Sequence, residues 1–200
     1  MATAVLTAES KIMVPEFRVS YPWVWTPQVD TKSGRKTWGV TAIFKPTDDL
    51  SQMRELMKLV KAKALPGYTG YIKSPFRKGV AKDENNPIGY DLDKNPEYAG
   101  MIIVPLKSIN QPVQPLKPDK TDFTAEERAG FYAGCYADAF VTCYYYKNES
   151  EGISFSLQSL RKTRDGAPFG RVLDGKKDYE GVPEIVPDNS AEFDDDNLGV

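Results

Sequence analysis

Cys135-Tyr-Ala-Asp-Ala-Phe-Val-Thr-Cys-Tyr-Tyr-Tyr146, a turn at Lys147-Asn-Glu-Ser-Glu-Gly152, and Ile153-Ser-Phe-Ser-Leu-Gln-Ser-Leu160 read as one long β-hairpin. Both arms are rich in β-branched and aromatic residues, and the turn between them is polar and ends on glycine. Alternation puts Ala137, Ala139, Val141, Cys143 and Tyr145 on one side of the first arm. Phe140, Tyr144 and Tyr146 share the other side, with Asp138 and Thr142 among them. A face mixing tyrosines with polar groups is less core-like than an aliphatic one, so this second side is expected to meet a ligand.

Upstream, residues 11–45 read as two further strands joined by a turn at Asp30-Thr-Lys-Ser-Gly-Arg-Lys36. Phe17, Val19 and Tyr21 alternate with Arg18 and Ser20, while Pro15, Pro22 and Pro27 suggest ends, bends or an edge rather than a central strand. Trp38, Val40, Ala42 and Phe44 share a face of the second strand. One helix is expected next. Thr47 offers an N-cap, Asp48 and Asp49 suit the positive end of the dipole, and Leu50, Met53, Leu56, Met57 and Val60 recur at helical spacing up to Pro66-Gly67. Lys58, Lys61 and Lys63 are expected to form a solvated face. Residues 66–97 are loop-rich, Met101–Leu106 is a short apolar strand, and the prolines of 111–118 suggest an extended connector. Strands, one helix, then more strands predict a mainly β protein, a small barrel with long insertions.

Composition narrows the function. There is no histidine, which removes Ser-His-Asp and Cys-His catalysis and the commonest general base. The two cysteines, Cys135 and Cys143, would lie about 26 Å apart on one strand, beyond disulfide reach. An ordinary zinc site is therefore not expected, nor is any other metal or cofactor. Asp91 with Asp93, and Asp194–Asp196, have no matched third ligand nearby in sequence. No run approaches the roughly 20 apolar residues of a membrane span, and the first ten residues show no signal peptide, so a cytoplasmic protein is expected.

Charge is divided along the chain. The first 82 residues hold 14 Lys and Arg against six Asp and Glu. The last thirteen, residues 188–200, carry five carboxylates (Asp188, Glu192, Asp194, Asp195, Asp196), no cation, and the single aromatic Phe193. A domain at 1–187 with an acidic tail at 188–200 is expected, the tail competing with a polyanion for the basic body.

Cations and aromatics are interleaved three times, as single-stranded nucleic acid requires: rings to stack on bases, and positive charge along the phosphates. The first cluster is Arg18, Tyr21, Trp23, Trp25, Lys32, Arg35, Lys36 and Trp38; the second, Tyr71 to Lys78, contains Lys73, Phe76, Arg77 and Lys78. The third pairs Tyr144 and Tyr146 with Arg161, Lys162 and Arg164. At strand spacing Trp38, Phe140 and Phe155 suit a core better than a platform. For Trp23 and Trp25, beside prolines, packing and stacking both stay open. Phe76, in a loop among cations, has no obvious core to fill and favours function. The competing readings are a metal-dependent nuclease and an adaptor acting through its acidic tail.

Several segments in order resemble a family of tailed-phage single-stranded DNA-binding proteins with an oligonucleotide-binding (OB) fold, related in architecture to the replication-fork DNA-binding protein of short-tailed coliphages. They are Arg18-Val-Ser-Tyr-Pro22 with Trp25-Thr-Pro27, Lys36-Thr-Trp-Gly-Val-Thr-Ala-Ile-Phe-Lys-Pro46, Phe131-Tyr-Ala-Gly-Cys-Tyr136, Tyr144-Tyr-Tyr-Lys-Asn148, Gly152–Leu160 and Arg164-Asp-Gly-Ala-Pro-Phe-Gly170. The resemblance implies a five-stranded, partly open barrel with one packed helix. It also implies a non-enzymatic protein that coats single strands during phage replication and recombination, independent of sequence, in the cytoplasm of the bacterial host. Glu192, Phe193, Asp194, Asp195 and Asp196 would then contact phage or host replication proteins and shield the DNA groove. Such tails commonly finish on an aromatic, whereas this one continues to Leu198-Gly-Val200. A homodimer is also implied.

Overall fold

The computed structural model describes residues 6–82, 89–148 and 150–169, together with Gly181. The chain divides into Met1–Phe169 and Gly170–Val200, and every described element belongs to the first unit. The acidic end, 188–200, lies outside the described residues.

The first strand, β1 (Ile12–Val29), enters a turn in which the Asp30 carboxylate accepts the backbone N–H groups of Lys32 and Ser33 at 2.9 and 3.2 Å. The chain returns as β2 (Lys36–Phe44) and continues through α1 (Ser51–Ala64), β3 (Arg77–Lys78), β4 (Ile102–Ile109), β5 (Pro115–Leu116), β6 (Tyr136–Lys147) and β7 (Glu151–Arg164). β1 lies antiparallel between β2 and β6, β2 pairs with β4, and β6 pairs with β7. A parallel seam of two pairs, Leu106–Phe155 and Lys107–Ser156, joins β4 to β7. It closes a five-stranded barrel in the circular order β1-β2-β4-β7-β6, the OB arrangement. The short β3 and β5 add to β4 and β7. No helix among the described residues is long and apolar enough to cross a membrane.

The prolines of β1 do not keep it out of the sheet interior, because it is paired on both sides. Each one falls inside a register shift instead: Pro15 between Val14 and Phe17, Pro22 between Ser20 and Trp23, Pro27 between Trp23 and Gln28. An irregularity that interrupts the ladder leaves no hydrogen bond for the missing N–H to spoil. At the second shift Tyr21 takes a φ of +46° and leaves the face of Phe17 and Val19. Those two are buried, whereas Tyr21 is 50% exposed.

The alternation expected for β6 holds. Ala137, Ala139, Val141 and Cys143 point into the core with Val14, Phe17, Val19, Phe44, Leu106, Phe155 and Leu157. Phe140, at core spacing by sequence, is 42% exposed on the outer side. Cys135 and Cys143 are both free and buried, and burial pushes the Cys143 thiol up to about 12. α1 packs Met53, Leu56 and Val60 against β6, β1 and β7. Its start differs from expectation: Thr47 does not cap it. The Asp48 carboxylate accepts the Lys45 N–H at 2.7 Å, closing the preceding turn, and Asp49 accepts the Ser51 N–H at 2.9 Å at the helix entry.

Candidate nucleic-acid interface

A trough crosses the outside of the barrel over the β4–β7 seam. Its first part, about 340 Å³, lies between β2 and β4 on one bank (Arg35, Thr37, Pro105, Lys107) and the β6–β7 hairpin on the other (Tyr144, Tyr146, Ser154). Lys73 reaches in from the loop before β3, and Arg77 from β3 itself. Its second part, about 210 Å³, is lined by Tyr21, Trp23, Trp38 and Thr41. The two parts share Thr37, Arg77, Pro105 and Lys107, so a cationic divide separates two aromatic compartments.

Local structure explains why these groups meet. Tyr144 and Tyr146 stand two residues apart on β6, hence on one face, with ring centroids 6.5 Å apart. Tyr145 points the other way and donates to Glu151, an interaction that pushes its hydroxyl up to about 12. Tyr21 is turned out by its positive φ, and its hydroxyl donates to Asn95 Oδ1 at 2.7 Å. Trp23 follows at 40% exposure. Lys107 lies opposite Gly39 in the β2–β4 ladder. A Cβ at Gly39 would come within 2.2 Å of the Leu106 carbonyl oxygen, and its φ is +155°, so the close approach of the two strands requires glycine there.

The electrostatics are one-sided. Neither lining contains a carboxylate, and Arg35, Lys73, Arg77 and Lys107 make no ion pair with any described residue. Desolvation, followed by the neighbouring charges of Arg77 and Arg35, holds the Lys107 ammonium below the usual lysine range. The residue as a whole is nonetheless exposed to solvent. Three cations converging without a counter-ion are poised to receive an anion.

Of the residues singled out from sequence, the trough gathers Tyr21, Trp23, Arg35, Trp38, Lys73, Arg77, Tyr144 and Tyr146. Lys36 and Lys78 are exposed at strand ends outside its lining. The grouping of Tyr144 and Tyr146 with Arg161, Lys162 and Arg164 is corrected. The hairpin register sets the tyrosines opposite Ser154 and Gly152, and the three cations opposite Asp138, Ala137 and Tyr136. Six strand residues separate Asp138 from Tyr144, about 20 Å. Arg161 is paired with Asp138, Lys162 with Asp165 at 2.7 Å, and Arg164 with Glu16 at 2.7 Å.

Three more residues of the expected clusters serve the fold. Arg18 donates to the Gly134 carbonyl at 3.2 Å and lies over the rings of Phe169 and Tyr136 at 4.2 and 5.5 Å. Trp25 packs edge-on against Phe123 and donates its indole N–H to the Arg128 carbonyl at 3.2 Å. Phe76 does have a core to fill: it meets Phe155 at 5.8 Å, under the Arg54 guanidinium at 4.7 Å. Lys107 was absent from the sequence reading. The signal lay in continuing the alternation of β4 past Leu106, which places Lys107 outward with Pro105 and Ile109.

A closed OB barrel bearing a cationic, aromatic trough is the architecture of an oligonucleotide-binding module. The family model for the single-stranded DNA-binding protein of Enterobacter phage Enc34 matches residues 10–193, and the chain belongs to that family. It is a family of binding proteins rather than enzymes. Among solved structures, the bacteriophage Enc34 single-stranded DNA-binding protein in complex with single-stranded DNA is 20% identical. That match has a TM-score of 0.66 and covers 80% of this chain and 89% of that one. The bacteriophage T7 single-stranded DNA-binding protein gp2.5 is 12% identical at a TM-score of 0.51, covering 88% and 96%. At these identities the likeness establishes the fold. A comparison with curated proteins gave no match.

Proposed function

We propose that this protein binds single-stranded DNA independent of sequence during phage replication and recombination in the host cytoplasm. Bases stack on Tyr21, Trp23, Trp38, Tyr144 and Tyr146, and Arg35, Lys73, Arg77 and Lys107 neutralise phosphates. The observation that carries this reading is the divide of unpaired cations between two aromatic compartments, with no carboxylate in either. That alternation matches a strand whose bases and phosphates project separately. Stacking contributes about 1–3 kcal/mol per base and does not depend on which base is present. Backbone contacts through cations likewise carry no sequence information.

In the same reading the acidic tail, with Glu192, Phe193, Asp194, Asp195 and Asp196, competes for the trough and recruits replication proteins, and two copies form a dimer. Titrating labelled dT oligomers at low and moderate salt tests the core of the reading, which requires salt-sensitive affinity. Absence of binding at low salt would refute it and favour the adaptor reading. Deleting 188–200 should tighten binding most at low salt; equal affinity with and without the tail would end the competition idea. Sedimentation of the full chain tests the dimer.

A further inference from the structure

We propose that the strand path continues beyond Lys73 into a separate cleft between α1 and the 66–74 loop, where Tyr71 stacks one further nucleobase. The inference rests on the single-stranded DNA reading above. This cleft, about 420 Å³, has an apolar floor of Met57, Ile72 and Ile153 and shares Lys73, Ser74 and Ile153 with the first trough compartment. The two therefore adjoin, with Lys73 between them. No carboxylate lines it, and Lys61 and Lys73 stand on its rim.

Tyr71 has the highest exposure of any large hydrophobic residue described, at 82%. A ring so displayed contributes little to packing and leaves a whole face open. The loop presenting it is nevertheless anchored at both ends. Lys61 Nζ donates to the Gly70 carbonyl at 3.4 Å and lies over the Tyr68 ring at 5.9 Å. At the other end the Lys73 N–H donates to the Glu151 carbonyl at 3.1 Å, and the Ile153 N–H donates to the Lys73 carbonyl at 3.0 Å. Gly152 permits this docking, because a Cβ there would come within 2.6 Å of the Tyr146 hydroxyl and 2.9 Å of Lys73. The same contact places Tyr146, the last ring of the trough, beside Lys73. The order of ring, cation and ring seen across the divide is thus repeated: Tyr146, Lys73, Tyr71. An apolar slot with a free ring and two cations takes an uncharged aromatic group linked to an anion, which is a nucleotide.

The test scans a single abasic position along a dT oligomer, with wild type and Tyr71→Ser compared by anisotropy. At one position near an end, wild type should lose about five- to 150-fold in affinity, as removal of a stacked base requires, and Tyr71→Ser should lose nothing further. Tyr71→Phe should behave as wild type. If wild type tolerates abasic positions near both ends, or if Tyr71→Ser loses as much as wild type at every position, the cleft takes no base. In that event the trough reading stands, provided the unmodified oligomer binds. If no dT oligomer binds wild type, the single-stranded DNA reading falls and this inference with it.

Discussion

Replacing Arg77 and Lys107 together by glutamine should halve the salt dependence of binding to single-stranded DNA. Four trough cations, Arg35, Lys73, Arg77 and Lys107, make no ion pair with any described residue. Each phosphate neutralised on a single strand contributes about −0.7 to the slope of log affinity against log salt. Four contacts give a slope of about −2.8, so affinity falls about 50-fold between roughly 50 and 200 mM salt. Two contacts give about −1.4, or about seven-fold over the same range. Anisotropy titrations of a dT oligomer at four salt concentrations resolve that difference. Arg164→Gln is the control, since Arg164 is paired with Glu16 at the far end of the hairpin and should leave the slope unchanged. Parallel lines for wild type and the double variant, or an equal loss of slope in Arg164→Gln, would refute the assignment of phosphates to this trough.

Phe76→Ala should lower stability by about 2–3 kcal/mol, somewhat less than a fully buried ring, and Tm by about 4–12 °C, while the salt slope stays near that of wild type. A variant with unchanged Tm would contradict the packing of Phe76 on Phe155. Lys107 gives a pH signature. Its folded pKa lies below its unfolded one, so its charge destabilises the fold at neutral pH, and that penalty disappears as pH rises through the folded value. Phosphate favours the charged form, so DNA affinity should fall as pH rises through the lowered folded value, below the usual lysine range, and Lys107→Arg should flatten the fall. A profile identical in the two proteins would show that Lys107 does not meet phosphate.

The parts of the fold legible in the sequence were those set by short-range pattern. The β6–β7 hairpin, the Asp30–Lys36 turn and the core face of α1 follow from period-two and helical spacing, and the structure shows all three. Part of the candidate site was legible for the same reason: Tyr144 and Tyr146 had to share a face, and that face of β6 had to point outward. What local pattern does not carry is pairing across the chain. Arg164 finds Glu16 from 148 residues away, and Arg18 reaches the Gly134 carbonyl over 116. A cation beside an aromatic therefore reads the same in sequence whether it awaits a phosphate or already holds a carboxylate. Phe76 illustrates the apolar counterpart, since its partner Phe155 belongs to a strand 79 residues later. Tyr21 escaped the alternation rule because Pro22 forces a shift that turns its ring out.

The site and the weakest part of the barrel coincide, and this follows from the topology. Antiparallel neighbours share long ladders, eight pairs between β2 and β4 and twelve between β6 and β7, whereas β4 and β7 meet in only two. Beyond that seam the two strands diverge, and the divergence opens the outer surface into a trough whose banks are β2–β4 and β6–β7. Filling that opening with apolar side chains would extend the core and leave no groove. Instead the sequence places Lys107 at the seam itself, opposite a glycine, and sets Arg35 and Arg77 around it. Desolvation of Lys107, then the neighbouring charges of Arg77 and Arg35, disfavour its charged form in the folded protein. In the proposed reading a polyanion laid across the seam would relieve that repulsion and bridge the two banks, so binding and barrel closure would stabilise each other.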